Sequence, residues 1–322
     1  MSRISRYQES ISKFIKSKSP YSEIIKHNNN NETLLSINDH EASIMLLTIF
    51  NGQKKAKKFK SHESYNIASG IDLMMTTVMI NDSLNYYKTT FGETSIKNFT
   101  NQSPLYVYEC LTKNMETLEN IMDKDKVHKL QGKIYSYFNK KMLGITKFDN
   151  MKGSDHVHRT DIIKYKFENK NIINLKYKKL KIIDKDILID YVERTYGAVC
   201  QCAFVLGWLL GAGEEKQINN LERLGTHFGL MIKLANDFKN LERDITHADG
   251  CSYNIIVNCG IHESFALFDE SKLKLIEGCF TLNIYNTTIK EVTDHIEKCF
   301  DNCLKNTDLE LNSRYTSFST FN

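Results

Sequence analysis

This sequence predicts an all-α, single-domain protein, on three observations. Only 2 prolines and 15 glycines punctuate 322 residues, so the chain can run in long helices with few breaks. Apolar residues recur at helical spacing, with Ile71, Met74, Met75, Val78 and Met79 on one stripe. A hydrophobic content of 41% suffices for one large core, and no boundary or internal repeat divides residues 1–322.

Residues 1–40 mix Ser, Lys and Asn with short apolar patches and are interrupted by Pro20, which predicts a frayed segment with one or two short helices. Ala42 to Phe50 is apolar enough for a core helix, and NGQKKAKKFK (Asn51 to Lys60) follows it as a basic loop. A helix over Ile71 to Tyr87 ends in INDSLN. Leu105 to Glu119 and Lys126 to Leu143 are amphipathic packing helices, with Pro104 suited to a helix start. Residues 147–181, rich in Lys, Asn and Asp, read as a surface insertion; His156 and His158 within it have no third and fourth metal ligand nearby. Asp184 is a fair N-cap for the next helix. The apolar run Ala198 to Ala212 contains Gln201 and falls short of the roughly 20 residues of a membrane span, so it reads as a buried core helix.

The net charge is only +4 and no helix concentrates basic residues, which argues against nucleic acid as a partner. Eight cysteines are scattered without a C-x2-C pair, and MSRISRYQES lacks the apolar core of a signal peptide. The expected setting is reducing and cytoplasmic.

The most informative stretch is LANDFKNLERD, Leu234 to Asp244. Asn236, Asn240 and Asp244 stand at i, i+4 and i+8, which in one helix keeps them within about 80° of one face and spans roughly 12 Å. Such a ladder of oxygens suits a hard cation shared with a bound diphosphate. Arg243 could add a fixed positive charge to the same anion.

The two apolar helices before this ladder, GAVCQCAFVLGWLLGAGEE and LGTHFGLMIKLAND, resemble those preceding the second aspartate-rich motif of trans-prenyltransferases. NDFKNLERD is similar to the metal-binding pattern of class I terpene synthases, which share that fold, with Asn240, Arg243 and Asp244 in the hydroxyl, basic and acidic places. The resemblance implies a helical bundle of the isoprenoid synthase type around a central cavity. Asn81, Asp82 and Asn85 then stand where the DDxxD motif would be, with two of three acids replaced by amides. Lys54 to Lys60 resembles the segment that holds isopentenyl diphosphate, with Lys in place of Arg. Lys88 alone remains where chain-elongating enzymes carry an Arg pair. Arg194, 42 residues before Asn236, lies near the place of a diphosphate-sensing basic residue. Arg314 and Tyr315, with Arg314 78 residues after Asn236, resemble an Arg-Tyr pair that closes over the diphosphate in microbial terpene synthases. DGCSYNIIVNCG resembles the stretch after this motif in both families.

What the resemblance implies is loss of diphosphate from an allylic prenyl diphosphate. Asn81, Asp82, Asn85, Asn236, Asn240 and Asp244 would hold three Mg2+ ions, which Mn2+ could replace; Arg194, Arg243, Arg314 and Tyr315 would hold phosphate oxygens. Tyr86, Tyr87, Phe204 and Trp208 would face the carbocation, and Lys88 the substrate. A homodimer is compatible with such a protein. The first reading is a class I terpene synthase. A chain-elongating trans-prenyltransferase and a non-catalytic partner subunit of one are the alternatives.

Overall fold

The computed structural model describes residues 2–22, 34, 36–53, 64–120, 123–149, 159–163, 178–248 and 250–305. Thirteen α-helices are assigned among them. The chain begins with α1 (Arg3–Ser17), α2 (Glu41–Gly52), α3 (Tyr65–Asp82) and α4 (Leu84–Phe91), followed by α5 (Glu93–Glu119) and α6 (Lys124–Asp149). After two strands come α7 (Lys185–Val192), α8 (Ala198–Leu210), α9 (Ile218–Lys239) and α10 (Leu241–Thr246). The last are α11 (Ile255–Cys259), α12 (Ile261–Thr281) and α13 (Thr287–Lys305).

The expected core helices form the centre. All of α8 is buried, and a helix that is apolar all round must be enclosed by others. It packs against α9, α2 and α6. Contact with α9 is close because glycine lines the seam: a Cβ on Gly225 would lie 2.5 Å from the Gln201 backbone, and one on Gly229 2.7 Å from the backbone of Gly197. α2 is buried from Glu41 to Phe50. No helix among the described residues is long and apolar enough to cross a membrane. The seven cysteines described are free thiols.

Three local expectations differ from the structure, and a fourth stretch gains detail. In the segment expected to be frayed with one or two short helices, Arg3–Ser17 is one anchored helix of 15 residues: Ser2 caps it, Ile4, Ile11 and Ile15 are buried, and the Arg3 N–H donates to Glu291 Oε2 at 2.9 Å. Pro104 lies inside α5 instead of at its start. The helix tolerates it where apolar packing on both sides continues, with Phe99 and Val107 buried. The helix read through Ile71 to Tyr87 breaks at Ser83 (φ −117, ψ 41), dividing α3 from α4. Within the stretch read as an insertion, β1 (Arg159–Ile163) and β2 (Lys178–Ile182) pair antiparallel, with Arg159 opposite Ile182.

A buried polar cluster fastens the N-terminal helices. Asp72 on α3, 2% exposed, accepts from Asn38, Ser43 and His40, while His40 Nε2 meets Ser12 Oγ of α1 at 2.8 Å. The chain Ser12, His40, Asp72 has the connectivity of a hydrolase triad. Ser12, however, sits in the middle of α1, where backbone N–H groups are spent on the helix itself and offer no oxyanion hole. The cluster is a brace.

Candidate diphosphate site

Two helix breaks meet at one cavity. The chain leaves α3 at Ser83, and it leaves α9 at Asn240 (φ −109, ψ 11) before restarting as α10. Between them lies a cavity of about 220 Å³ lined by Asn81, Asp82, Asn85, Tyr86, Arg243, Asp244 and His247, with Ser252 to Asn254 closing one side. Asn81, Asp82 and Asn85 of the first ligand set read from the sequence therefore share this cavity with Asp244 of the second, and Ser83 Oγ donates to Asp244 Oδ1 across the gap at 2.9 Å.

The ladder is only partly realised. Asp244 lines the cavity, but Asn236 and Asn240 do not. The face of α9 turned toward α3 carries Lys233 and Asp237, four residues apart, and Asn236 is one 100° step away from it. The break at Asn240 then redirects the chain, so Asp244 reaches the cavity from α10 and not as the third rung of one helix.

Lys233 is the residue that sequence reasoning missed. Its side chain is 0% exposed, and its ammonium lies 2.7 Å from Asp82 Oδ2 and 2.5 Å from Asp237 Oδ1. Burial works against this charge, but the two carboxylates outweigh it and hold the pKa above the ordinary lysine range. A lone lysine in the apolar run GLMIKLA with an acid four residues on was the available signal, because lysine is almost never fully buried unless paired.

Asp82 is enclosed further by two hydroxyls. Tyr191 OH donates to Oδ1 at 2.8 Å and Tyr196 OH to Oδ2 at 3.2 Å. Residues five apart diverge by about 140° in an α-helix, but here the turn Glu193–Gly197 is a π-helix, whose i→i+5 bonding brings them to the same side. Gly197 and Gly229 let α9 approach that turn, which sets the Lys233 ammonium 5.6 Å from the Tyr196 ring centroid. Burial keeps the Tyr196 hydroxyl protonated, with Asp82 acting in the same direction.

Asp237 and Asp244 are equally engaged. Asp237 Oδ2 accepts from the Ile255 N–H at 2.7 Å. Asn254 caps α11 with its oxygen and gives its amide hydrogens to Asp237 O (2.8 Å) and Asp244 Oδ2 (3.0 Å). Asp244 Oδ1 also accepts from Arg243 Nε at 3.2 Å. Burial raises the Asp244 pKa, while Arg243 pulls it down.

Arg243 is the cation at the cavity wall. Its guanidinium stands 4.9 Å from the Tyr86 ring centroid and 5.4 Å from that of Tyr87, and it donates to Tyr87 OH (3.3 Å) and Ser83 Oγ (2.7 Å). His247, a second residue missed in the sequence, donates Nδ1–H to the Arg243 carbonyl at 3.0 Å and stacks edge-on to Tyr86. Its position four residues after Arg243 was legible only once a helix there was assumed.

The remaining expectations lie elsewhere. Arg194 is exposed and pairs with Asp190 at 2.8 Å, outside the cavity lining. Lys88 lies 3.4 Å from Glu93. Phe204 is packed against Phe228 in the core, and Trp208 donates Nε1–H to Glu214 O beside a different cavity. Arg314, Tyr315, Lys54 to Lys60, His156 and His158 lie outside the described residues. Asp39, Glu41 and His295 offer ligand atoms within 4.8 Å of one another, also away from this cavity.

No family model matches the sequence, and no curated protein does. Solved structures do match the fold. A farnesyl/geranylfarnesyl diphosphate synthase from Zymomonas mobilis aligns with a TM-score of 0.60 at 11% identity, over 92% of this chain and 98% of the other. A geranyltransferase from Helicobacter pylori aligns at 0.57 and 12%, over 92% and 96%. The geranyl diphosphate synthase small subunit from Antirrhinum majus aligns at 0.52 and 14%, over 92% and 100%. At these identities the likeness concerns architecture, and the architecture is the all-α isoprenoid synthase fold that the resemblance implied.

Proposed function

We propose that the chain binds a prenyl diphosphate in the cavity between α3–α4 and α9–α10, in support of prenyl transfer between an allylic diphosphate and isopentenyl diphosphate. The observation that carries the reading is Arg243. Its guanidinium is oriented by two tyrosine faces, Ser83 and Asp244, at a cavity whose other lining groups, Asn81, Asn85 and His247, offer hydrogen bonds to an anion. Prenyl transfer is preferred over cyclisation of a single diphosphate because the named neighbours in fold include a farnesyl/geranylfarnesyl diphosphate synthase and a geranyltransferase. The cavity, about 220 Å³, lies below the usual ligand-pocket range of about 300 to 1,000 Å³. It suits a headgroup better than a whole polyprenyl ester.

Divalent ions are implied by the resemblance, and the donor set is a poor fit to them as it stands. The six carboxylate oxygens of Asp82, Asp237 and Asp244 each accept from a protein donor, and Asn236 and Asn240 do not line the cavity. This engagement favours a second reading, a subunit that binds prenyl diphosphate or supports an active partner without turnover of its own. A small subunit is among the neighbours in fold.

Incubation with geranyl, farnesyl and geranylgeranyl diphosphate, with and without isopentenyl diphosphate, separates the readings. Longer diphosphates are expected for prenyl transfer. Volatile products would return the assignment to terpene synthesis, and binding without products would leave the partner reading.

A further inference from the structure

We propose that Lys233 is a built-in cation standing in place of a divalent ion between α3 and α9, so that this chain holds its diphosphate without recruiting a metal to Asp82 and Asp237. The inference rests on the cavity taking a diphosphate, and it concerns what neutralises the acids behind it.

Three observations carry it. The Lys233 ammonium bridges one oxygen from each helix, Asp82 Oδ2 at 2.7 Å and Asp237 Oδ1 at 2.5 Å, which is the bridging role a shared cation would have. It is fully enclosed, so it cannot swing to solvent while the helices stay packed. The other oxygens of the pair are held by Tyr191 OH at 2.8 Å and the Ile255 N–H at 2.7 Å. A Mg2+ ion demands near-octahedral oxygens at about 2.0–2.1 Å and keeps waters of its own. To enter here it would have to expel a paired ammonium and turn away donors that are part of the fold.

Charge gives the same answer. A metal is drawn to carboxylates that lack counter-charge, whereas Lys233 offsets the Asp82–Asp237 pair and Arg243 lies against Asp244 at 3.2 Å. The attraction left for a divalent ion is small. Lys233 also keeps Asp82 from repelling an incoming diphosphate, leaving the anion to Arg243 and its neighbours.

The test uses the full chain with inorganic diphosphate and Mn2+ as probes. Calorimetry in EDTA is expected to show diphosphate binding that changes less than about threefold when millimolar Mg2+ replaces the chelator. Electron paramagnetic resonance is expected to show no protein-bound Mn2+ in the wild type without diphosphate. Lys233→Gln removes the counter-charge from Asp82 and Asp237 and is expected to create protein-bound Mn2+ where the wild type shows none, whereas Lys233→Arg leaves it absent. Diphosphate binding that requires Mg2+, or a tight Mn2+ site in the wild type, overturns the inference and leaves the cavity assignment standing. Absence of diphosphate binding under either condition overturns the cavity assignment itself. Both decisive measurements are made on the wild type, so they stand even if Lys233→Gln does not fold; a folded Lys233→Gln that gains no Mn2+ affinity also overturns the inference.

Discussion

Replacing Asp82 by alanine tests whether this acid is a free ligand or a structural hub. An exposed metal-binding carboxylate could be removed with the fold intact. In the structure Asp82 accepts from Lys233, Tyr191 and Tyr196, and its side chain is only 7% exposed. Asp82→Ala leaves the Lys233 ammonium with Asp237 alone and strips two hydroxyls of their acceptor. Removing one partner of a buried ion pair costs about 3–5 kcal/mol. At about 2.1 cal/mol/K per residue, unfolding 322 residues carries an entropy near 0.7 kcal/mol/K. The expected fall in Tm is therefore about 4–7 °C. Circular dichroism melts of wild type and variant at pH 7 measure it. A shift below about 1 °C would refute the reasoning, because it would mean that Asp82 is solvated and not held by Lys233.

Three further predictions follow from the same geometry. Arg243→Ala should weaken inorganic diphosphate binding by about tenfold to a hundredfold, since charge-assisted hydrogen bonds contribute about 1.5–3 kcal/mol; calorimetry checks this, and an unchanged affinity removes Arg243 from the anion site. Gly229→Ala gains helix propensity but drives a methyl to 2.7 Å from the Gly197 backbone, so a net loss of about 1–3 kcal/mol is expected in denaturant titrations. Burial, aided by Asp39, pushes the Glu41 carboxyl up to about 7. The native state then binds the extra proton between the unfolded and folded pKa values, so wild-type stability should fall by about 3 kcal/mol as pH rises from about 4.5 to 7. Glu41→Gln escapes this loss, and a gain in Tm over wild type at pH 8 but not at pH 4.5 is the expected result.

The fold was readable because it depends on signals that one sequence carries by itself. Scarce proline and glycine, the stripe at Ile71 to Met79 and the unbroken apolar run after Ala198 each gave a helix of the right kind. Pro104 misled because its local preference for a helix start was overruled by packing on both sides. The breaks at Ser83 and Asn240 were hidden for a different reason. Neither residue is a strong helix breaker, and each kink is supported by side chains distant in sequence, Arg243 and Asp244 around Ser83 and Asn254 around the start of α10.

The site was legible in position and misread in register. Periodicity marked Leu234 to Asp244 as one helix, which the structure divides at Asn240, and it could not say which of two adjacent residues, Asn236 or Asp237, turned toward α3. That choice was made by Lys233. A buried ammonium must find carboxylates, so it fixes the rotation of α9 with Asp237 one turn on and Asp82 across the gap. Reading outward from the most costly buried charge, rather than from the most ligand-like string, finds the face that turns to Asp82. Amides at Asn81, Asn85 and Asn236 carry less negative charge than the aspartate-rich motifs the sequence resembles, and Lys233 and Arg243 offset much of what Asp82, Asp237 and Asp244 contribute, which is the charge balance expected if the proposed anion is held without a metal.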